Sequence, residues 1–231
     1  MDLAYHLSNI FIFKIIFSHT TNLAGWTEEQ AIVFIASYIL CDGLYMSFFA
    51  NNCWWFPVFI NKGELDYYLT RPVSPLFFLS LREFAANSFI NLLFAIGIFT
   101  WAITNYSSPF SISQLLAYIF LIINGVVIYY ILHMLFYLPV FWTQSPRGFE
   151  GLLYGLDSIM KYPDKIQNLL FRYLFTLLIP LNLIISFPAK LFFGEDVIYN
   201  GVLLASWTIV FWSFFLWIWS KALKQYSSAS S

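Results

Sequence analysis

Long apolar runs separated by short polar breaks set the pattern of this chain. Residues 31–49, 84–104, 115–140 and 201–219 each have about the length a helix needs to cross hydrocarbon, roughly 20 residues at 1.5 Å of rise. The first two carry a single charge between them, Asp42. A shorter run at 3–17, with Lys14 near its end, reads as a retained span rather than a signal peptide, because no basic segment precedes it and no small-residue cleavage site follows. Its shortness raises the expectation of further residues before Met1. The turn at 19–30 places Trp26 at interface depth and ends in Thr27-Glu28-Glu29-Gln30, the spacing of a capping box.

Two stretches are less regular. Residues 148–162 are amphipathic, with Glu150, Tyr154, Asp157 and Lys161 recurring at helical spacing, and Pro163 ends them. Residues 169–193 are apolar but interrupted by Arg172, Pro180, Pro188 and Lys190, which predicts either a bent span or a re-entrant hairpin. The pattern as a whole predicts an all-α polytopic membrane protein of six transmembrane helices, one domain over residues 1–231, with a kinked or re-entrant segment before the last span.

The longest polar break, residues 61–83, holds six charges in 23 positions: Lys62, Glu64, Asp66, Arg71, Arg82 and Glu83. Gly63 breaks the preceding helix, residues 64–69 can form one or two amphipathic turns with carboxylates near their start, and Arg71-Pro72 stops them. A short helix held in a wet loop between the second and third spans is a docking element.

Composition narrows the class. With 60% apolar and 10% charged residues, the chain lacks the roughly 25% charge of a soluble domain. A net charge of −1, with eleven Lys and Arg scattered among loops and helix ends, excludes a nucleic-acid face. Cys41 and Cys53 lie twelve positions apart on one predicted helix, about 18 Å of rise, too far for a disulfide.

Lys and Arg in short loops set the orientation. The 61–83 loop contributes Lys62, Arg71 and Arg82, and the tail contributes Lys221 and Lys224, whereas 19–30, 105–113 and 194–200 contribute none. The loop and the C-terminus are therefore expected in the cytoplasm, with the chain multi-pass in the cell membrane. The same rule draws Lys161 and Lys165 to the cytoplasm, making 169–193 a bent fifth span.

The run Gly63-Glu64-Leu65-Asp66-Tyr67-Tyr68-Leu69-Thr70-Arg71-Pro72-Val73-Ser74-Pro75 resembles the cytoplasmic signature of ABC-transporter permeases of the type-2 export class, six-span subfamily. Gly25-Trp26-Thr27, Tyr162-Pro163, Ile179-Pro180 and Phe187-Pro188 match as well, so the similarity runs from about Gly25 to Trp219. The resemblance implies a permease coupled to separate ATPase subunits and paired with a second permease, either a copy or a relative, in a lipid membrane. Gly63, Glu64, Leu65, Asp66, Leu69, Arg71, Pro72 and Pro75 then form the coupling element. Leu65, Leu69 and the tyrosines would fill a cleft of the ATPase, while Glu64, Asp66 and Arg71 fix register. The resemblance also favours 148–162 as a short fifth span, with 164–193 dipping in from outside.

No phosphate-binding loop of the form G-x-x-x-x-G-K-[ST] occurs, so ATP is expected on the partner and no cofactor on this chain. No clustered nucleophile, carboxylate pair or metal set is expected either, and His6, His19 and His133 stand apart in sequence. Asp42, at mid-span, should face the bundle or a polar cavity, since a charge there costs roughly 2.5–3.5 kcal/mol. Asp42, Glu150, Asp157 and Lys161 are candidates for lining a pathway, with an interhelical bond for Asp42 and an Asp157–Lys161 pair as the structural alternatives. Gly151-x-x-x-Gly155 reads as a helix contact. The alternative function is a secondary transporter with its site in the broken 169–193 helix, a class expected to carry an internal repeat.

Overall fold

Apolar residues in runs this long satisfy their backbone groups within the segment, and the outcome here is helix almost throughout, with no strand among the described residues. The computed structural model describes residues 2–72, 74–145, 147–194 and 197–226, with side chains except at 2, 3, 147–150 and 197. Glu195 and Asp196, the acidic turn before the last apolar run, lie outside the described residues, as does the side chain of Glu150.

The helices in order are α1 (Asp2–His19), α2 (Glu28–Asn61), α3 (Leu65–Leu69), α4 (Pro75–Ser80), α5 (Ala86–Thr104), α6 (Ile112–Thr143), α7 (Arg147–Met160), α8 (Leu169–Leu178), α9 (Leu181–Phe193) and α10 (Val197–Gln225). Four of them, α2, α5, α6 and α10, are long and apolar enough to cross a membrane, or five with the α8–α9 pair taken as one bent span. The six crossings read from the sequence are therefore four secure ones, with α1 and α7 shorter or more polar.

Thr27 caps α2 as its spacing predicts: the Gln30 amide donates to Thr27 Oγ1 at 3.4 Å, and the Thr27 amide donates to Gln30 Oε1 at 3.1 Å. A second capping box, Ser111 with Gln114, starts α6. α2 runs well past the apolar segment that announced it, through a π-helical turn at Met46–Ala50 and over Pro57. Its 34 residues span about 51 Å, longer than a hydrocarbon layer of about 30 Å. Cys41 and Cys53 are both buried and free along it.

α2, α6 and α9 form the centre, and α5, α10 and α1 pack around them. α9 lies within the bundle, every residue from Leu181 to Lys190 buried. It fits because Gly125 of α6 lets the two backbones touch. Aromatic contacts mark the two ends. At one, the loop end, Asn61 donates to the Gln144 carbonyl at 2.9 Å and Phe141 meets Tyr226. At the far end Trp26 sits between Phe34 and Phe193, ring centroids 5.5 and 5.0 Å away, and the Ser107 amide and hydroxyl donate to Glu29.

The Lys165 side chain lies against Gly25, and Asp164 pairs with Lys190, so residues 164 to 193 leave the far end and return to it. α8 and α9 meet at 99° around Ile179-Pro180. The pair is sharply bent, as both sequence readings require, and its two ends lie at the same end of the bundle.

Candidate functional site

The charged 61–83 stretch is held by its own residues. α2 ends in a Schellman turn: Gly63 takes φ +75°, its amide donates to the Ile60 carbonyl at 3.1 Å, and the Glu64 amide reaches Phe59 at 3.0 Å. Glu64 then accepts from Arg82 at 3.2 Å, and Arg82 lies over the Phe59 ring at 4.2 Å. Ser74 caps α4, whose first residue is Pro75. Asn52 exchanges two hydrogen bonds with the Glu83 backbone, at 2.8 and 3.0 Å, and Asn51 donates to the Glu83 carboxylate at 2.9 Å. The Ser80 and Tyr130 hydroxyls bond to each other. The stretch is thus a cap pinned to α2 and α6, with α3 at its apex.

On α3 the expected roles divide. Leu65 is 0% exposed and Tyr68 is buried too, so both anchor α3 to this chain and neither is available to fill a partner's cleft. This corrects the expectation for Leu65. The periodicity places Leu65 and Leu69 on one helical face, but a helix of five residues turns little more than once, and Leu69 escapes at 45% exposure. The outward surface is made by Tyr67, 55% exposed, with Leu69, Thr70, Arg71 and Pro72. Arg71 stacks on Tyr67, 3.8 Å from the ring centroid, and donates to its hydroxyl. Asp66 is half-buried beside Tyr226, whose hydroxyl is pushed above its usual range by burial and by that carboxylate. Glu64 is engaged with Arg82 rather than offered outward.

The candidate pathway residues also separate. Asp42 lies 3.6 Å from His6 Nε2 on α1, and both side chains are nearly buried. Asp157 accepts from the Tyr129 hydroxyl at 3.0 Å and lies 3.6 Å from His133 Nε2, while His133 Nδ1 sits 3.1 Å from the Tyr129 carbonyl. Tyr45 packs on both Tyr129 and His133, ring centroids 4.4 and 4.6 Å away. Tyr38 packs edge-on against His6, ring centroids 6.3 Å apart. The histidines that stand apart in sequence are therefore brought into two His–Asp pairs around a cluster of tyrosines. Only their polarity within apolar runs hinted at it.

Lys161 follows the end of α7 and lies over Tyr5 of α1, 4.8 Å from its ring centroid. The (i, i+4) alternative is not the arrangement seen, since Asp157 turns to α6 and Lys161 to α1. A β-carbon at Gly151 or Gly155 would meet nothing within 4 Å, so among the described residues neither makes the helix contact it was read as.

The family profile described as "ABC-2 family transporter protein" matches residues 3–230, nearly the whole chain. The chain belongs to this family. No curated protein and no solved structure matches it. As an ABC-2 family transporter protein it is an integral membrane component of a transport system, and the two sites above acquire a context. The pinned 61–83 cap is the polar segment that joins α2 to α5 in this ABC-2 protein, and the His–Asp pairs are polar groups among its helices.

Proposed function

We propose that this ABC-2 protein is the permease subunit of an ATP-driven exporter, working with ATPase subunits on separate chains and with a second permease, a copy of itself or a relative. The observation that carries the reading is the α3 surface. Tyr67, Leu69 and Arg71 face outward from a helix whose other side is locked to the chain by Leu65, Tyr68 and the Glu64–Arg82 pair. Exposed aromatic and arginine side chains on a rigid support have the character of an interface hot spot.

The same rigidity suits force transmission. α2 connects this surface without a break to Asp42, so a movement of α3 driven by closure of the ATPases would be carried as a tilt of α2 to the His6–Asp42 contact and to α9 beside it. In this reading the loop end faces the cytoplasm, supported by Lys62, Arg71, Arg82, Lys221 and Lys224 there. α1 and α7 complete six crossings, and α8–α9 enters from outside. The uncovered Gly151 and Gly155 of α7 would admit a helix of the second permease.

The test is the triple variant Tyr67→Ala, Leu69→Ala, Arg71→Glu. It should insert, fold and melt as the parent does, yet lose co-purification of an ABC ATPase from native membranes. Normal co-purification together with full transport would overturn the reading. Leu65→Ala should behave differently, lowering stability by about 2–5 kcal/mol through a core cavity.

A further inference from the structure

A pocket of about 570 Å³ opens at the far end between the α8–α9 hairpin and α10, within the usual size range for a ligand site. Its polar floor is built. Asp164 Oδ2 accepts from Lys190 Nζ at 2.8 Å and from Arg172 at 3.0 Å, and Asp164 and Lys190 are 0% and 2% exposed. Two cations thus converge on one carboxylate. Arg172, its side chain 39% exposed at the rim, spends one end of its guanidinium on Asp164 and has further N–H groups to present.

The rest of the lining is apolar. Leu169, Leu177, Phe187 and Leu203 form the walls, and Leu169 and Leu177 continue onto the exposed apolar surface of α8. The hairpin therefore joins the Arg172 guanidinium above a polar floor to an outward oily wall. A free anion would use only the floor, and an uncharged oil only the wall. A molecule with an anionic head on an acyl tail uses both.

We propose that this pocket binds the phosphodiester head of an anionic membrane lipid, Arg172 forking two phosphate oxygens while the acyl chain lies along Leu169 and Leu177. The site is distinct from the α3 surface and requires no ATPase, so its fate is separate from that of the coupling reading.

The test uses the purified full chain in neutral detergent, titrated with phosphatidylglycerol, phosphatidylcholine or inorganic phosphate, and read by native mass spectrometry and by the shift in melting temperature. Phosphatidylglycerol should give a retained one-to-one adduct and raise the melting temperature, and the other two should do neither. Arg172→Gln should weaken that binding about tenfold or more, as loss of a charge-assisted bidentate contact requires. Leu203→Trp, which fills the pocket while leaving its charges intact, should also abolish the adduct, and it decides the matter if Arg172→Gln fails to fold. Equal responses to phosphatidylglycerol and phosphatidylcholine would overturn the proposal, as would an equal response to inorganic phosphate. Unchanged phosphatidylglycerol binding by a folded Arg172→Gln or by Leu203→Trp would do so as well.

Discussion

Gly125 and Ile184 lie so close that a β-carbon on Gly125 would stand 2.5 Å from the Ile184 carbonyl oxygen. The contact is backbone to backbone, between mid-α6 and the inner arm of the hairpin, so no side-chain rotation can relieve it. Gly125→Ala should force α9 away from α6 and lower stability by about 1–3 kcal/mol, the usual range for overpacking. Gly97, which has open space around it, is the control: Gly97→Ala should be neutral or slightly stabilising, since it sits within α5. Melting of both variants in detergent checks this, and equal melting temperatures would remove the close approach from the account.

The His6–Asp42 pair predicts a non-additive pair of mutations. His6→Ala leaves the Asp42 carboxylate at mid-helix without its imidazole neighbour and should cost about 1–3 kcal/mol, whereas Asp42→Asn removes the charge itself and should cost less. The double variant should recover part of the His6→Ala loss. A simple sum of the two single losses in the double variant would show that the two side chains do not act on one another.

Asp157 invites a parallel comparison. Tyr129→Phe removes one hydrogen bond to it, at 3.0 Å, while preserving the ring contact with Tyr45. The expected loss is about 1–3 kcal/mol, and Asp157→Asn, which still accepts from Tyr129, should lose less. If Tyr129→Phe melts with the parent, this hydrogen bond adds nothing to the hold of α7 on α6.

Topology can be read chemically. In a chain with Cys41 and Cys53 replaced, a cysteine substituted for Lys165, Lys165→Cys, should react with an impermeant thiol reagent from outside intact cells, because residue 165 shares its end with Gly25, opposite the α3 cap. Labelling only after the cells are opened would reverse the proposed orientation of the hairpin.

Residue chemistry along the chain was enough to determine the class, the apolar helices, the Thr27–Gln30 cap, the Gly63 break and the short helix that follows it, because each depends on neighbours within a few positions. Run length specifies a spanning helix, and a glycine followed by carboxylates and a proline specifies a turn and a short helix, whatever lies beyond. Tertiary structure decided the rest. His6 meets Asp42 across 36 positions, His133 meets Asp157 across 24, and Lys190 meets Asp164 across 26, and no local spacing encodes such distances. The fate of Leu65 was equally non-local: a five-residue helix offers its leucines to solvent and core alike, and the pinning of the cap to α2 and α6 turns Leu65 inward while leaving Leu69 out. The burial of Lys190 turned on the same physics. In a low-dielectric interior a lysine is tolerated where a carboxylate meets it, and Asp164, distant in sequence, is that carboxylate.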